Sequence, residues 1–84
     1  MVSTILKVLE QEAAVGTGGN NFSGKTLIRV YNNTNADVSV LVKDADSNIT
    51  GSFTLRTYET AFVRKMPAEN IFGSATIRMV PVSF

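Results

Sequence analysis

Val38-Ser39-Val40-Leu41-Val42-Lys43, Asp44-Ala45-Asp46-Ser47-Asn48 and Ile49-Thr50-Gly51-Ser52-Phe53-Thr54-Leu55-Arg56 decide the fold. In the first block valine takes every second place and Ser39 and Lys43 take the other face. In the third, Ile49, Phe53 and Leu55 separate from Thr50, Ser52, Thr54 and Arg56. Side chains alternate across a strand, so each block reads as a half-buried strand. The Asx- and Ser-rich segment between them bonds its own backbone and tolerates left-handed residues, which predicts a β-hairpin.

The same rhythm extends in both directions. Upstream, Thr26-Leu27-Ile28-Arg29-Val30-Tyr31 is β-rich, and the polar connector Asn32-Asn33-Thr34-Asn35-Ala36-Asp37 predicts pairing with the block from Val38. Downstream, Glu59-Thr60-Ala61-Phe62-Val63-Arg64 follows Thr57-Tyr58 and predicts a third hairpin. Met66 to Gly73 breaks the pattern at Pro67 and predicts a loop with one helical turn. Ser74-Ala75-Thr76-Ile77-Arg78-Met79-Val80 predicts a last strand, placed at a sheet edge because Pro81 cannot donate to a ladder. Val2, Ile5, Leu6, Leu9 and Ala13 fit both strand and helix spacing, with strand favoured, and Ala14 to Asn21 is a Gly-rich connector. The expectation is a single all-β domain over residues 1–84. It is an antiparallel β-sandwich or barrel of five to six strands, with an N-terminal arm or strand over 1–24 and a hairpin-built core over 25–84.

Composition narrows the functional classes. The 84 residues carry eight basic and seven acidic side chains, so no long-range field steers the chain onto nucleic acid or an acidic membrane. Cysteine and histidine are absent, which removes disulfides, most zinc sites and every His-dependent triad. No apolar run approaches the roughly 20 residues that span a bilayer. The N-terminal stretch lacks a basic leader, so the chain is expected to begin at its own Met1 without a secretory signal.

Gly19-Asn20-Asn21-Phe22-Ser23-Gly24-Lys25-Thr26 matches the P-loop pattern letter for letter. A working P-loop follows a buried strand and opens a helix, whereas here a Gly-rich linker precedes and strand residues follow, so the match reads as accidental. Asp44, Asp46 and Asn48 have the spacing of the first EF-hand ligands, but Ile49 and Leu55 occupy the glycine and bidentate-Glu positions, so a plain turn is the better account. The sequons at Asn21, Asn32 and Asn48 have no visible secretory route. Glu10 with Glu12 and Asp44 with Asp46 read as solvated pairs, and Arg64-Lys65 with the dispersed arginines reads as strand-edge protection. No catalytic residue, metal ligand or cofactor is expected.

Several strands carry apolar groups on both faces. Leu41 opposes the valine row, and Leu27 and Tyr31 oppose Ile28 and Val30. One sheet on one core leaves them exposed, either as ordinary scattered surface groups or as a second face covered by another subunit, and on the second reading Val2, Ile5, Leu9, Leu27, Tyr31, Leu41 and Phe84 are the candidate interface residues.

From Ile28-Arg29-Val30-Tyr31-Asn32-Asn33-Thr34, through Val40 to Asp44 and Asn48 to Leu55, to Glu59 through Pro67, the sequence resembles small virion structural proteins of marine tailed phages, cyanophages especially. The resemblance spans residues 25–84 and rests on a shared strand-and-turn rhythm without catalytic residues. It implies a β-sandwich on the outside of a capsid or tail, made in the host cytoplasm. The leading expectation is a capsid decoration or cement protein that contacts the major capsid protein and copies of itself, with no nucleic acid, membrane or small-molecule substrate. A tail, neck or fibre-associated component is one alternative, and a soluble module for a small ligand or carbohydrate is another.

Overall fold

The computed structural model describes residues 7–83. The strands are β1 (Lys7–Val8), β2 (Ala13–Val15), β3 (Leu27–Tyr31), β4 (Val38–Lys43), β5 (Ile49–Leu55), β6 (Thr60–Arg64), β7 (Asn70–Gly73) and β8 (Ile77–Ser83), and a single 3-10 turn occupies Phe22–Gly24. They form two antiparallel sheets. One has the order β1-β8-β3-β6 with β2 also on β8, and the other has the order β5-β4-β7. The chain is therefore a small all-β sandwich, with eight strands among the described residues where five to six were expected. Between the sheets pack Ile28 and Val30 of β3, Val38, Val40 and Val42 of β4, and Leu55, Ile71, Ile77 and Met79, with Phe22 and Val15 joining them. The valine row of β4 points inward as the alternation requires.

The β4–β5 hairpin forms as expected. Its turn is organised by Asp44, whose Oδ1 accepts the amides of Asp46 and Asn48 at 2.9 Å, with Ser47 in the left-handed region at φ 66°. The other two predicted hairpins do not form. β3 pairs with β6 and β8, not with β4, and β5 and β6 lie in different sheets. The connectors 32–37 and 56–59 each cross from one sheet to the other. Alternation specifies which face of a strand is buried but not which strand lies beside it.

The placement of β8 is a second correction. It is central, flanked by β3 on one side and by β1 and β2 on the other, and Pro81 is fully buried. A residue's N–H and C=O point to the same side of a strand. The Pro81 carbonyl accepts from the Leu9 amide at 2.9 Å, so the missing N–H faces the break between β1 and β2. A central strand tolerates proline there because no ladder bond is required at that gap. Residues 70–73, expected as a loop, are β7. The break at Pro67 is a turn closed by the Glu69 amide on the Met66 carbonyl at 3.0 Å, and the chain then extends along β4.

Asn32 ties the crossings together. Its buried amide Nδ2 donates to the Ala36 carbonyl at 2.7 Å and to the Leu55 carbonyl at 3.1 Å. Its Oδ1 accepts from the Thr34 amide at 3.0 Å and the Thr34 hydroxyl at 2.6 Å. The Asn32 backbone amide donates to the Glu59 carbonyl at 3.0 Å. Asn32→Ala removes both side-chain donors and the acceptor that holds the Thr34 turn, and is expected to cost about 1 to 3 kcal/mol, read as a lowered urea midpoint at unchanged slope.

Candidate functional site

The two sheets do not close along one side. Among the described residues β5 pairs only with β4 and β6 only with β3, so both are edge strands there, joined by the 56–59 crossing. Between them runs an open cleft of about 230 Å³, walled by Val42, Gly51 and Phe53 on the β5 side and Val63 and Arg64 on the β6 side. The inner row of β5 is Gly51, Phe53 and Leu55, opposite Val42, Val40 and Val38. Only Leu55 is buried, which corrects the expectation that Ile49 and Phe53 share its burial. The cleft exists because Gly51 puts no side chain where β5 faces inward, and a Cβ built there meets no atom within 4 Å.

Thr50 and Glu69 form the end wall. The register of β4 on β5 slips between Val42 and Lys43, leaving Thr50 as the extra residue of a bulge. A bulge re-aims its side chain. The Thr50 hydroxyl reaches the Val42 carbonyl at 3.2 Å and donates to Glu69 Oε2. Glu69 Oε1 accepts from the Met66 amide at 2.7 Å. These donors, Thr50 first and the Met66 amide second, hold the Glu69 carboxyl below its ordinary range. With both oxygens engaged and the anion favoured, Glu69 is suited to fastening the 66–69 turn and poorly suited to acting as a proton donor near neutral pH.

Lys65 adjoins this wall and is 2 % exposed. Its ammonium donates to the Met66 carbonyl at 3.3 Å, and burial pushes its pKa down while Glu69 opposes the shift. Among the described residues, no group of three or more His, Cys, Asp or Glu gathers to hold a metal ion.

The P-loop lookalike is built into the fold as a plug. Phe22, Ser23 and Gly24 all take positive φ, at 55°, 56° and 77°. The turn is held by the Phe22 amide on Asn20 Oδ1 and the Gly24 amide on Asn21 Oδ1, both at 2.7 Å, and it drives Phe22 into the core. Asn21 Nδ2 donates to the Pro67 and Glu69 carbonyls at 2.8 and 3.0 Å. Lys25 pairs with Glu10 at 2.8 Å, and β3 follows where a phosphate-binding helix would start.

Of the expected interface residues, Val2, Ile5 and Phe84 lie outside the described residues. Leu9, Leu27, Tyr31 and Leu41 are half-buried. Leu41 stands opposite Phe72, whose ring carries the Lys43 ammonium at 4.7 Å, and the Arg29 guanidinium lies 6.0 Å from the Tyr31 ring. Glu12 joins Arg29 at 3.6 Å and Arg78 at 2.9 Å, so the Tyr31 face of the larger sheet is laced by ion pairs. The strongly exposed apolar side chains are others. Among the described residues they are Val8, Ile49, Phe53, Tyr58, Phe62 and Met66, and all but Val8 fall within residues 49–66. Leu27 and Tyr31 do share the outer face of the larger sheet with Phe62, which is paired with Arg29. The missed signal was the run 49–55, which holds a central glycine and no charge. No family model, curated protein or solved structure matches this chain.

The end wall sets a pH dependence. The unfolded chain protonates Glu69 near 4.5 while the folded chain resists to lower pH, so its stabilisation is complete above 4.5 and lost as pH falls through the lowered value. Lys65 has the opposite role. Its folded pKa lies below 10.5, so the charged form burdens the fold and stability rises with pH between the lowered value and 10.5. Melting curves across pH should show Glu69→Gln lowering Tm at neutral pH and flattening the acid limb. Lys65→Met should leave Tm equal or higher and abolish the alkaline rise, because an apolar isostere removes a buried charge.

Proposed function

We propose that this chain is a structural protein of a phage virion, attached to the major capsid protein as a decoration or cement protein. The observation that carries the reading is the concentration of exposed apolar side chains on residues 49–66, with Met66 at 66 % and Tyr58 at 61 % exposure. Scattered surface apolar groups are ordinary, but five of the six strongly exposed ones among the described residues fall in one eighteen-residue run, a concentration that favours a protein contact. Tyr58 adds to it. An aromatic residue at φ 56° in an exposed turn bears backbone strain, and such strain gathers where a side chain is needed for contact.

Attachment by this surface is short-range. With a formal charge of +1, the chain relies on apolar burial of Tyr58, Phe62 and Met66, with Arg56 and Arg64 in the same run, a composition typical of interface cores. The virion setting comes from the resemblance of residues 25–84 to small phage structural proteins. The test mixes purified chain with expanded capsids and with tails of a marine tailed phage. Saturable sedimentation with heads is expected, and it should drop at least about tenfold for Phe62→Asp and Met66→Asp, each worth upward of about 1.4 kcal/mol at an interface core. Attachment only to tails would move the protein to a tail, neck or fibre position. Attachment to neither overturns the reading.

The cleft favours one second reading, a module for a small ligand or carbohydrate. Phe53 offers an apolar face beside Ser52 and Arg64 in a space of monosaccharide size. A glycan array together with calorimetry distinguishes it, because saturable binding abolished by Gly51→Leu would place the ligand in the cleft.

A further inference from the structure

Among the described residues, every sheet edge but one is protected. The free edge of β7 is covered by residues 16–20, through the Asn20 amide on the Ile71 carbonyl at 2.9 Å, the Ile71 amide on the Asn20 carbonyl at 3.0 Å and the Gly73 amide on the Gly16 carbonyl at 3.1 Å. β1 and β2 are two and three residues long. β6 ends in the exposed Arg64. Short length, charge and covering are the usual defences of an edge. β5 has none of them over Gly51 to Leu55, a flat stretch beyond the Thr50 bulge without charge or proline.

We propose that β5 pairs with β5 of a second copy, antiparallel across a two-fold axis at Ser52, joining two three-stranded sheets into one of six. Backbone parity supports this register. The Ser39 carbonyl accepts from Ser74 on the β7 side, so Val38, Val40 and Val42 present their polar backbone to β5. Their partners Leu55, Phe53 and Gly51 bond back to β4, which leaves the N–H and C=O of Ser52 and Thr54 pointing outward. An axis at Ser52 sets Ser52 against its symmetry mate as a hydrogen-bonded pair and Thr50 against Thr54.

The side chains agree with the backbone. The same register places Phe53 of each copy opposite Gly51 of the other, in the close pair type, on the inner face. Each ring then covers the cleft that the glycine leaves open, the pairing by which an aromatic side chain compensates a strand glycine. The charges are also self-complementary. Arg56 beyond one end of β5 approaches the 44–48 turn beyond the other end of its mate, where Asp46 projects. Neither side chain has an ion-pair partner among the described residues. One patch meets its own copy with hydrogen bonds, shape and charge matched, which is the requirement of a two-fold interface.

This association belongs to the free chain and is read without capsids, so its failure is distinct from failure of the virion reading. Light scattering behind size exclusion should give a dimer in wild type and a monomer in Ser52→Pro. That proline deletes only an outward N–H and leaves the β4 ladder intact, with folding checked by circular dichroism. Arg56→Glu and Asp46→Arg should each weaken the dimer by roughly two- to fivefold, and their combination should restore it. The chain has no native cysteine, so Ser52→Cys gives a single thiol about 5.5 Å by Cα from its mate, within disulfide reach. Mild oxidation should link Ser52→Cys rapidly and Thr57→Cys slowly. A wild-type monomer at the highest soluble concentration, or a dimer that survives Ser52→Pro and does not link through position 52, overturns the proposal.

Discussion

The buried amide of Asn32 stands where the two sheets exchange chain, and the topology depends on it. A polar group removed from water must find partners, and Asn32 uses both amide donors and its acceptor on two segments: the 32–37 crossing, at Ala36 and Thr34, and the end of β5. A connector that could have closed a hairpin instead carries β4 to the opposite sheet. The 56–59 crossing is fastened beside it by the Asn32 backbone amide on Glu59. Once both connections cross, β5 and β6 have each lost a sequential neighbour and become edges on the same side.

What the sequence discloses follows from this. The existence of β3, β4, β6 and β8 and the inward faces of β3 and β4 were legible, because period-two alternation and β-branched residues are local signals. The β4–β5 hairpin was legible because Asp44 and Ser47 encode its turn within five residues. Pairing was not, since 32–37 is as compatible with a hairpin as with a crossing until the Asn32 amide finds Leu55. Pro81 misled for a related reason. Its donor deficit is real, but it falls at the gap between β1 and β2, a feature of two short strands far away in sequence.

The candidate interface residues show the same boundary between local and non-local information. Apolar groups on both faces of a strand were read as surplus for a neighbour. In β8 the chain buries both faces itself, with Val80 and Val82 buried apart from the central cluster. Leu41 is likewise absorbed by Phe72 across the β4–β7 pair. The exposed set lies where composition gave a quieter cue, a strand with a glycine at its centre and no charge to guard its edge.

That quiet stretch gathers the local costs of the molecule. Gly51 in a strand interior gives up roughly 0.5 to 1 kcal/mol relative to a residue with a Cβ. Tyr58 in the left-handed region costs roughly 1 to 2 kcal/mol more. Ile49, Phe62 and Met66 leave apolar area in water that their neighbours in the core do not. Elsewhere local preference and global packing agree: the Phe22 turn is strained too, but two Asn side chains hold it and its ring is buried in return. Among the described residues, 49–66 receive no such compensation. A sequence consistent at other levels gathers its inconsistencies at functional or strained sites, and here they fall on the run that borders the open side of the sandwich.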